Sequence, residues 1–223
     1  MKQLILIFDT ETSDKAKHFK NAEEDLNNYP HLMQLGAELF EIDTDDFNAR
    51  PKFIYSLNAL VKPTRNNLPI QLAEEAFKVH GISLQDCLDN GDEMFTVAMI
   101  FQGLLSISHV IVCHNYQFDR NVMVSELLRL GIKPNIKIGT KSLCTMKYTT
   151  DLLKLPNPKF GGAFKWPRLD ELFRHCTGKE LTEEYKAHDA LGDVGATRDC
   201  FLHLIRTDDK LQMWLKNEIN SIY

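Results

Sequence analysis

The sequence predicts an α/β fold, a mixed five-stranded sheet flanked by helices. Three observations predict it. Residues 4–8, Leu-Ile-Leu-Ile-Phe, form a continuous apolar run closed by acids, the pattern of a strand buried on both faces and so central in a sheet. Two extended segments, 31–42 and 52–61, are separated by the turn-like stretch 43–51 and read as a hairpin. Beyond them, helical and extended segments alternate.

Residues 13–31 are polar and read as a long loop, with room for one helical turn. Segment 31–42 is extended, although Leu35-Gly36-Ala37 is also compatible with a helix. Pro69 opens a short helical stretch to residue 78. Helical spacing over 93–106 sets Phe95, Met99, Gln102 and Leu105 near one face. A short apolar strand at 109–113 leads into a helix over 116–130, stopped by Gly131 and Pro134. Residues 137–143 read as the fifth strand and 156–167 as a loop rich in Pro and Gly. Helices follow at 167–176 and 189–207, the latter with Ala190, Val194, Thr197, Phe201 and Leu204 as its core stripe. One domain over 1–223 is expected, with its core at 4–206 and a short terminal helix within 208–223.

The chain has 223 residues, 43% apolar and 26% charged, which suits a globular domain and excludes disordered and collagen-like classes. No apolar run reaches the length of a membrane span, and the 4–8 run is too short for a signal-peptide core, so a cytoplasmic protein with no membrane partner is expected. Five scattered cysteines without CxxC spacing read as reduced thiols, neither a disulfide framework nor a zinc site. The net charge of −5 hides an asymmetry: residues 133–168 carry eight bases and one acid, and the remainder 18 bases and 30 acids. That contrast suggests an anionic ligand held against an acidic body.

Several acids stand where a fold alone does not need them. Asp9 and Glu11 follow the most apolar strand, and period two puts them on one side if the strand continues. Two like charges at the end of a buried strand need compensation, which a divalent cation supplies; an ordinary exposed turn is the alternative. Asp119 heads the helical row Asp119, Met123, Leu127, Leu130, on the inward face and just past the 109–113 strand. It could equally stabilise the helix N-terminus. His188 and Asp193 are five apart and share no helix face, so His188 is expected just before the helix, on a loop that can swing over a site. Taken singly, they also fit a surface histidine and a solvated helix acid. Together, four carboxylates and one histidine at the ends of adjacent elements suit two hard cations, Mg²⁺ or Mn²⁺. Such a pair clamps the attacking and leaving oxygens of a phosphoryl displacement.

These residues fall into three ordered motifs: Phe8-Asp9-Thr10-Glu11-Thr12, then His114-Asn115-Tyr116-Gln117-Phe118-Asp119, then His188-Asp189-Ala190-Leu191-Gly192-Asp193. The chain thereby resembles the DEDDh 3′–5′ exonucleases, a family that includes the proofreading epsilon subunit of bacterial polymerase, RNase T and oligoribonuclease. The stretch Val79-His80-Gly81-Ile82 is similar to one common in the proofreading branch. The resemblance implies an RNase H-like fold and a two-metal exonuclease releasing 5′-nucleoside monophosphates. Asp9, Glu11, Asp119 and Asp193 would be the ligands, with Asp9 bridging, and His188 the general base. Thr10, Thr12, Asn115, Phe118 and His80 would be substrate contacts.

The loop at 13–30 and the segment at 140–168 are longer than in compact members and bear on specificity. The basic stretch 133–168 could grip a nucleic-acid backbone through Lys154, Lys159 and Lys165, with Tyr148, Phe160, Phe164 and Trp166 offering stacking surfaces and Gly161-Gly162 a hinge. Alternatively, Phe164 and Trp166 are core and the lysines a solvated surface. Single-stranded DNA is the expected substrate, in repair, proofreading or turnover. The alternatives are a ribonuclease of the same fold acting on RNA ends or short oligoribonucleotides, and a docking subunit of a polymerase or repair complex.

Overall fold

The apolar run that opens the chain becomes the middle of the sheet because both of its faces find cover. In the computed structural model, which describes residues 1–18, 20–62, 64–65, 68–136, 139–157 and 163–222, the strands are β1 (Lys2–Thr12), β2 (Leu32–Asp43), β3 (Lys52–Leu60), β4 (Thr64–Arg65), β5 (Leu68–Pro69), β6 (Val110–Cys113) and β7 (Lys141–Cys144). The five longer strands form one sheet in the order β3-β2-β1-β6-β7. The pairs β1–β2 and β2–β3 are antiparallel, and β6 and β7 run parallel to β1, which makes the sheet mixed as expected.

The helices are α1 (Glu74–His80), α2 (Leu84–Asn90), α3 (Met94–Ile107), α4 (Tyr116–Arg129), α5 (Thr145–Tyr148), α6 (Thr150–Leu153), α7 (Leu169–Thr177), α8 (Leu181–Glu184), α9 (Ala190–Thr207) and α10 (Asp209–Leu215). Alternation along β1 feeds two cores. Leu6 and Phe8 join the cluster under α3 and α4, while Ile5 and Ile7 join the one under α9 and α10. The expected stripe of α9 is buried at all five positions, and Trp214 and Leu215 of α10 complete that second core. No disulfide joins any of the five cysteines, all of which are among the described residues. No helix among the described residues is long and apolar enough to cross a membrane.

The structure corrects several local expectations. The helix predicted from Pro69 begins at Glu74, and Leu68–Pro69 pair instead with Thr64–Arg65. Along α3 the buried residues are Val97, Ala98, Phe101, Leu104 and Leu105, whereas Phe95 and Met99 are exposed. This helix is apolar on most of its circumference, so spacing alone does not select a face; the edge-on contact of Phe101 with Phe8, centroids 4.8 Å apart, does. Leu130 caps α4 and is exposed, leaving Asp119, Met123 and Leu127 as the inward row. The fifth strand covers Lys141–Cys144, and the predicted Lys137 lies outside the described residues. Helix α2, started by a reciprocal Ser83–Asp86 capping box, was not anticipated.

The long 13–31 segment contains no helix among its described residues and is tied down by α4. Asn121, fully buried, accepts from the Ala22 N–H at 3.2 Å and donates to the Tyr29 hydroxyl at 3.0 Å. Arg129 pairs with buried Glu126 at 2.8 Å and donates to the carbonyls of Leu26, Tyr29 and Pro30. Arg120 reaches Glu23 at 2.6 Å.

Candidate active site

Strand β1 does continue through the acids, to Thr12. Asp9 and Glu11 therefore share the parity of Ile5 and Ile7 and face α9, while Thr10 shares that of Leu6 and Phe8 and faces α4. Thr10 uses this position to fix Asp119. Its N–H and its hydroxyl both donate to Asp119 Oδ1, at 3.1 and 2.8 Å. Asp119 belongs to the first turn of α4, which starts immediately after β6 at Asn115, a left-handed residue with φ 78°. The turn lies beside the end of β1 because β6 pairs with β1 in parallel register, Val112 opposite Ile7.

The third group arrives with α9. Asp189 caps the helix by accepting from the Gly192 N–H at 3.2 Å. Buried Gln34 on β2 holds this end from the sheet side: its Nε2 donates to Asp189 Oδ2 at 3.1 Å, and its Oε1 accepts from the Ala190 N–H at 3.1 Å. Close approach depends on Gly36, the register partner of Asp9, since a Cβ there would meet the Ala190 carbonyl at 2.4 Å. His188 sits just before the helix, as expected, with φ 56°. Its loop lies against two α9 glycines, for a Cβ on Gly192 would meet the Lys186 carbonyl and one on Gly195 the Tyr185 ring. Tyr185 is fastened in turn, donating to Asp199 at 2.6 Å and accepting from Arg198 at 3.0 Å, while Arg198 grips Glu38 with two bonds. Sequence reasoning missed Gln34, Gly36, Tyr185 and the role of Asp189. Only Gly36 gave a signal, as a glycine inside a strand.

These elements bring the acids into mutual repulsion. Burial, followed by the charges of Asp119, Asp193, Glu11 and Asp189, pushes the Asp9 carboxyl well above the usual range. Burial, followed by Asp193, Asp119 and Asp189, raises Glu11 to about 8. Asp119 is raised to about 7 by burial against the opposing pull of Thr10, and Asp193 to about 6 by burial against the pull of His188. Each of Glu11, His188 and Asp193 offers a donor atom within 4.8 Å of the others'. A buried set of carboxylates that raise one another's pKa fits divalent cations, whose charge would remove the repulsion.

The remaining expected contacts distribute as follows. Thr12 is buried and its carbonyl accepts from His80 Nε2 at 3.2 Å, while His80 Nδ1 accepts from the Ile82 N–H. His80 thus ends α1 and also lines a recess with Glu11, Thr12 and Phe118. Burial, then the nearby His188, holds it below the usual histidine range. Asn115 and Phe118 line a second recess together with Trp166, which is 57% exposed. Phe164 is exposed as well, so neither aromatic is core. The described bases of the basic stretch do not share one set of neighbours. Lys165 pairs with Glu171, Arg168 with Asp170, and Lys141 lies over the Trp214 ring. Lys154 is exposed at the end of α6. Lys159, Phe160 and Gly161-Gly162 lie outside the described residues.

Solved structures share this fold. No curated protein matches the chain. Among solved structures, Escherichia coli exonuclease I in complex with a dA16 oligonucleotide superposes with a TM-score of 0.69 at 18% identity, over 98% of this chain and 44% of that one. The zinc-bound form of the E. coli exonuclease I–ssDNA complex gives 0.70 at 20% identity, over 96% and 43%. A moderately thermophilic exonuclease I from Methylocaldum szegediense gives 0.67 at 21%, over 96% and 43%. The shared fold is the RNase H-like one, and the chain spans less than half the length of these neighbours. The RNase_T family, described as exonuclease, matches residues 6–201, an interval that begins in β1 and ends in α9 and so encloses every acid of the cluster. By that match the chain belongs to the RNase_T exonuclease family.

Proposed function

We propose that the chain is a metal-dependent 3′–5′ exonuclease that hydrolyses phosphodiester bonds at the 3′ ends of single-stranded DNA and releases 5′-nucleoside monophosphates. The observation that carries this reading is the cluster of Asp9, Glu11, Asp119 and Asp193, each raised by burial and by neighbouring charge. Asp9, Glu11, Asp119 and Asp193 would hold two divalent cations, Mg²⁺ or Mn²⁺, which supply neutralisation of charge on the phosphate and a more acidic attacking water. Asp9 is repelled by all four other acids of the cluster, which supports a bridging position for it.

The chain's own residues do the rest. Thr10 fixes one oxygen of Asp119, so this carboxylate presents its other oxygen to the site. His188, exposed on its loop at the rim, is the general base: it takes a proton from water as the oxygen attacks phosphorus. The bond to the 3′ oxygen of the preceding nucleotide breaks, and that oxygen leaves as a hydroxyl after protonation. Gln34 and Tyr185 act through Asp189 and the 185–188 loop to hold His188 over the acids. His80 and Phe118 line the recess next to Glu11, where the terminal nucleotide would lie.

The preference for DNA rests on the Val79-His80-Gly81-Ile82 resemblance and on solved neighbours that carry deoxyoligonucleotides. A ribonuclease of the same fold is the second reading. The test is a gel assay with 5′-labelled DNA and RNA of one sequence, in Mg²⁺, Mn²⁺ or EDTA, with wild type and Asp119→Ala. A metal-dependent ladder that the variant loses supports the proposal, and faster RNA cleavage transfers it to the ribonuclease reading. Degradation of neither substrate by wild type overturns it in favour of a docking subunit.

A further inference from the structure

Phe118 is shared by two recesses. One holds Glu11, Thr12 and His80; the other, of about 320 Å³, opens on the opposite flank of the α4 first turn. Lys17 and Tyr29 from the 13–31 segment form one of its sides, Asn115 and Phe118 lie at α4, and Lys147 and Trp166 complete it. Its volume falls in the range of small-molecule sites, about 300–1,000 Å³. Trp166 leaves more than half of its surface to solvent, and the Lys147 ammonium stands 5.9 Å from its ring centre. Phe118 offers a second, half-buried ring, and buried Tyr29 packs against it, 6.2 Å away and tilted. Aromatic faces among lysines are what a sequence-tolerant single-strand site requires, because every base has a π-face and every linkage a charge.

The walls are built. Asn121 and Arg129 pin Tyr29 at its hydroxyl and its carbonyl. On the other side His114 Nε2 donates to the Pro167 carbonyl at 3.1 Å and its Nδ1 accepts from the Thr145 hydroxyl at 2.9 Å, which ties the residue after Trp166 to the end of β6. The two walls come from segments far apart in sequence, 13–31 and 140–168. We propose that this recess is a binding site for the nucleotides that precede the terminal one, a base stacking on Trp166 and backbone phosphates meeting Lys147 and Lys17. The inference rests on the exonuclease reading and adds a site that sets which strand lengths are held.

The chain has two tryptophans, and Trp214 is buried in the other core, so Trp166 serves as its own reporter. Octathymidylate added to wild type in EDTA is expected to quench tryptophan fluorescence. The quench should vanish in Trp166→Phe and persist in Trp214→Phe. Trp166→Ala should raise the octathymidylate Kd about 5- to 150-fold, the range for one lost stack, and flatten the rise of kcat/KM from dithymidylate to octathymidylate. Lys147→Ala should reduce the salt slope of binding by about 0.7. A quench that survives in Trp166→Phe, or an unchanged Kd in Trp166→Ala with native circular dichroism, overturns the proposal. Hydrolysis by wild type without any quench sinks this site and leaves the exonuclease reading standing. A Trp166-dependent quench without hydrolysis in Mg²⁺ or Mn²⁺ does the reverse.

Discussion

Replacing Asp119 by Asn should abolish hydrolysis and yet stabilise the metal-free protein. The side chain keeps its shape, and an amide oxygen can still accept from the Thr10 N–H and hydroxyl. What goes is a charge buried among four others. The Asp119 carboxyl is raised from 3.8 to about 7, and at about 1.4 kcal/mol for each tenfold change in proton affinity the ceiling is ~4 kcal/mol at pH 8. Weaker bonds from Thr10 to a neutral acceptor return ~1 kcal/mol, and a gain of roughly 1–3 kcal/mol remains. At about 3 °C per kcal/mol for a chain of this size, Tm should rise by roughly 3–9 °C. The sign follows from proton binding. A carboxyl raised in the native state holds protons that the unfolded chain has released, so wild-type stability falls as pH climbs from about 4 through the Glu11 value of about 8. The advantage of Asp119→Asn should therefore be largest at pH 8 in EDTA, shrink toward pH 5 and invert with saturating Mn²⁺, which binds the native wild type. Melting curves by circular dichroism at the two pH values, with EDTA or Mn²⁺, give all four comparisons. A variant that melts at or below wild type in EDTA at pH 8, with its spectrum intact, would refute the idea that these acids strain the apo fold.

Three further outcomes are expected. Gly36→Ala sets a Cβ at 2.4 Å from the Ala190 carbonyl, so urea titration should show a loss of about 1–3 kcal/mol, and kcat should fall more than KM rises as Asp189 and His188 shift. Arg129→Ala leaves Glu126 buried with only His31 and the Leu32 N–H beside it and frees three carbonyls of the 13–31 segment. It should cost about 3–5 kcal/mol in urea and accelerate proteolysis between residues 13 and 31. Tyr185→Phe removes the bonds to Asp199 and from Arg198, which should cost about 1 kcal/mol and lower kcat several-fold with KM nearly constant, read by steady-state kinetics.

The chemistry was more legible in the sequence than the surfaces around it, for a physical reason. Asp9 and Glu11 stand out because two acids that close a strand buried on both faces need either a compensating charge or an exposed turn, and the other motifs favour the first. Asp119 stands out because a carboxylate heading an inward row contradicts the row. Each contradiction is local, so spacing alone exposes it. Gly36 and Gln34 break no local rule; their need is set by Ala190 and Asp189, about 155 residues away, and exists only once α9 lies on β2. The basic stretch could not be read as a surface from its sequence for the converse reason. Among its described residues, neighbours in sequence become scattered when the chain between them folds back, and Lys141, Lys147 and Lys165 end on Trp214, Trp166 and Glu171. The 13–31 loop carries the same lesson in its anchors. Asn121 and Arg129 read as ordinary helix residues until Ala22 and Tyr29, about 100 positions earlier, are laid across them. The walls proposed to hold the strand beside Trp166 are thus set by long-range polar contacts, whereas the motifs that predict a reaction are local in sequence; the sequence offered Trp166 as a stacking surface but not that it faces Tyr29 and Phe118 across the recess.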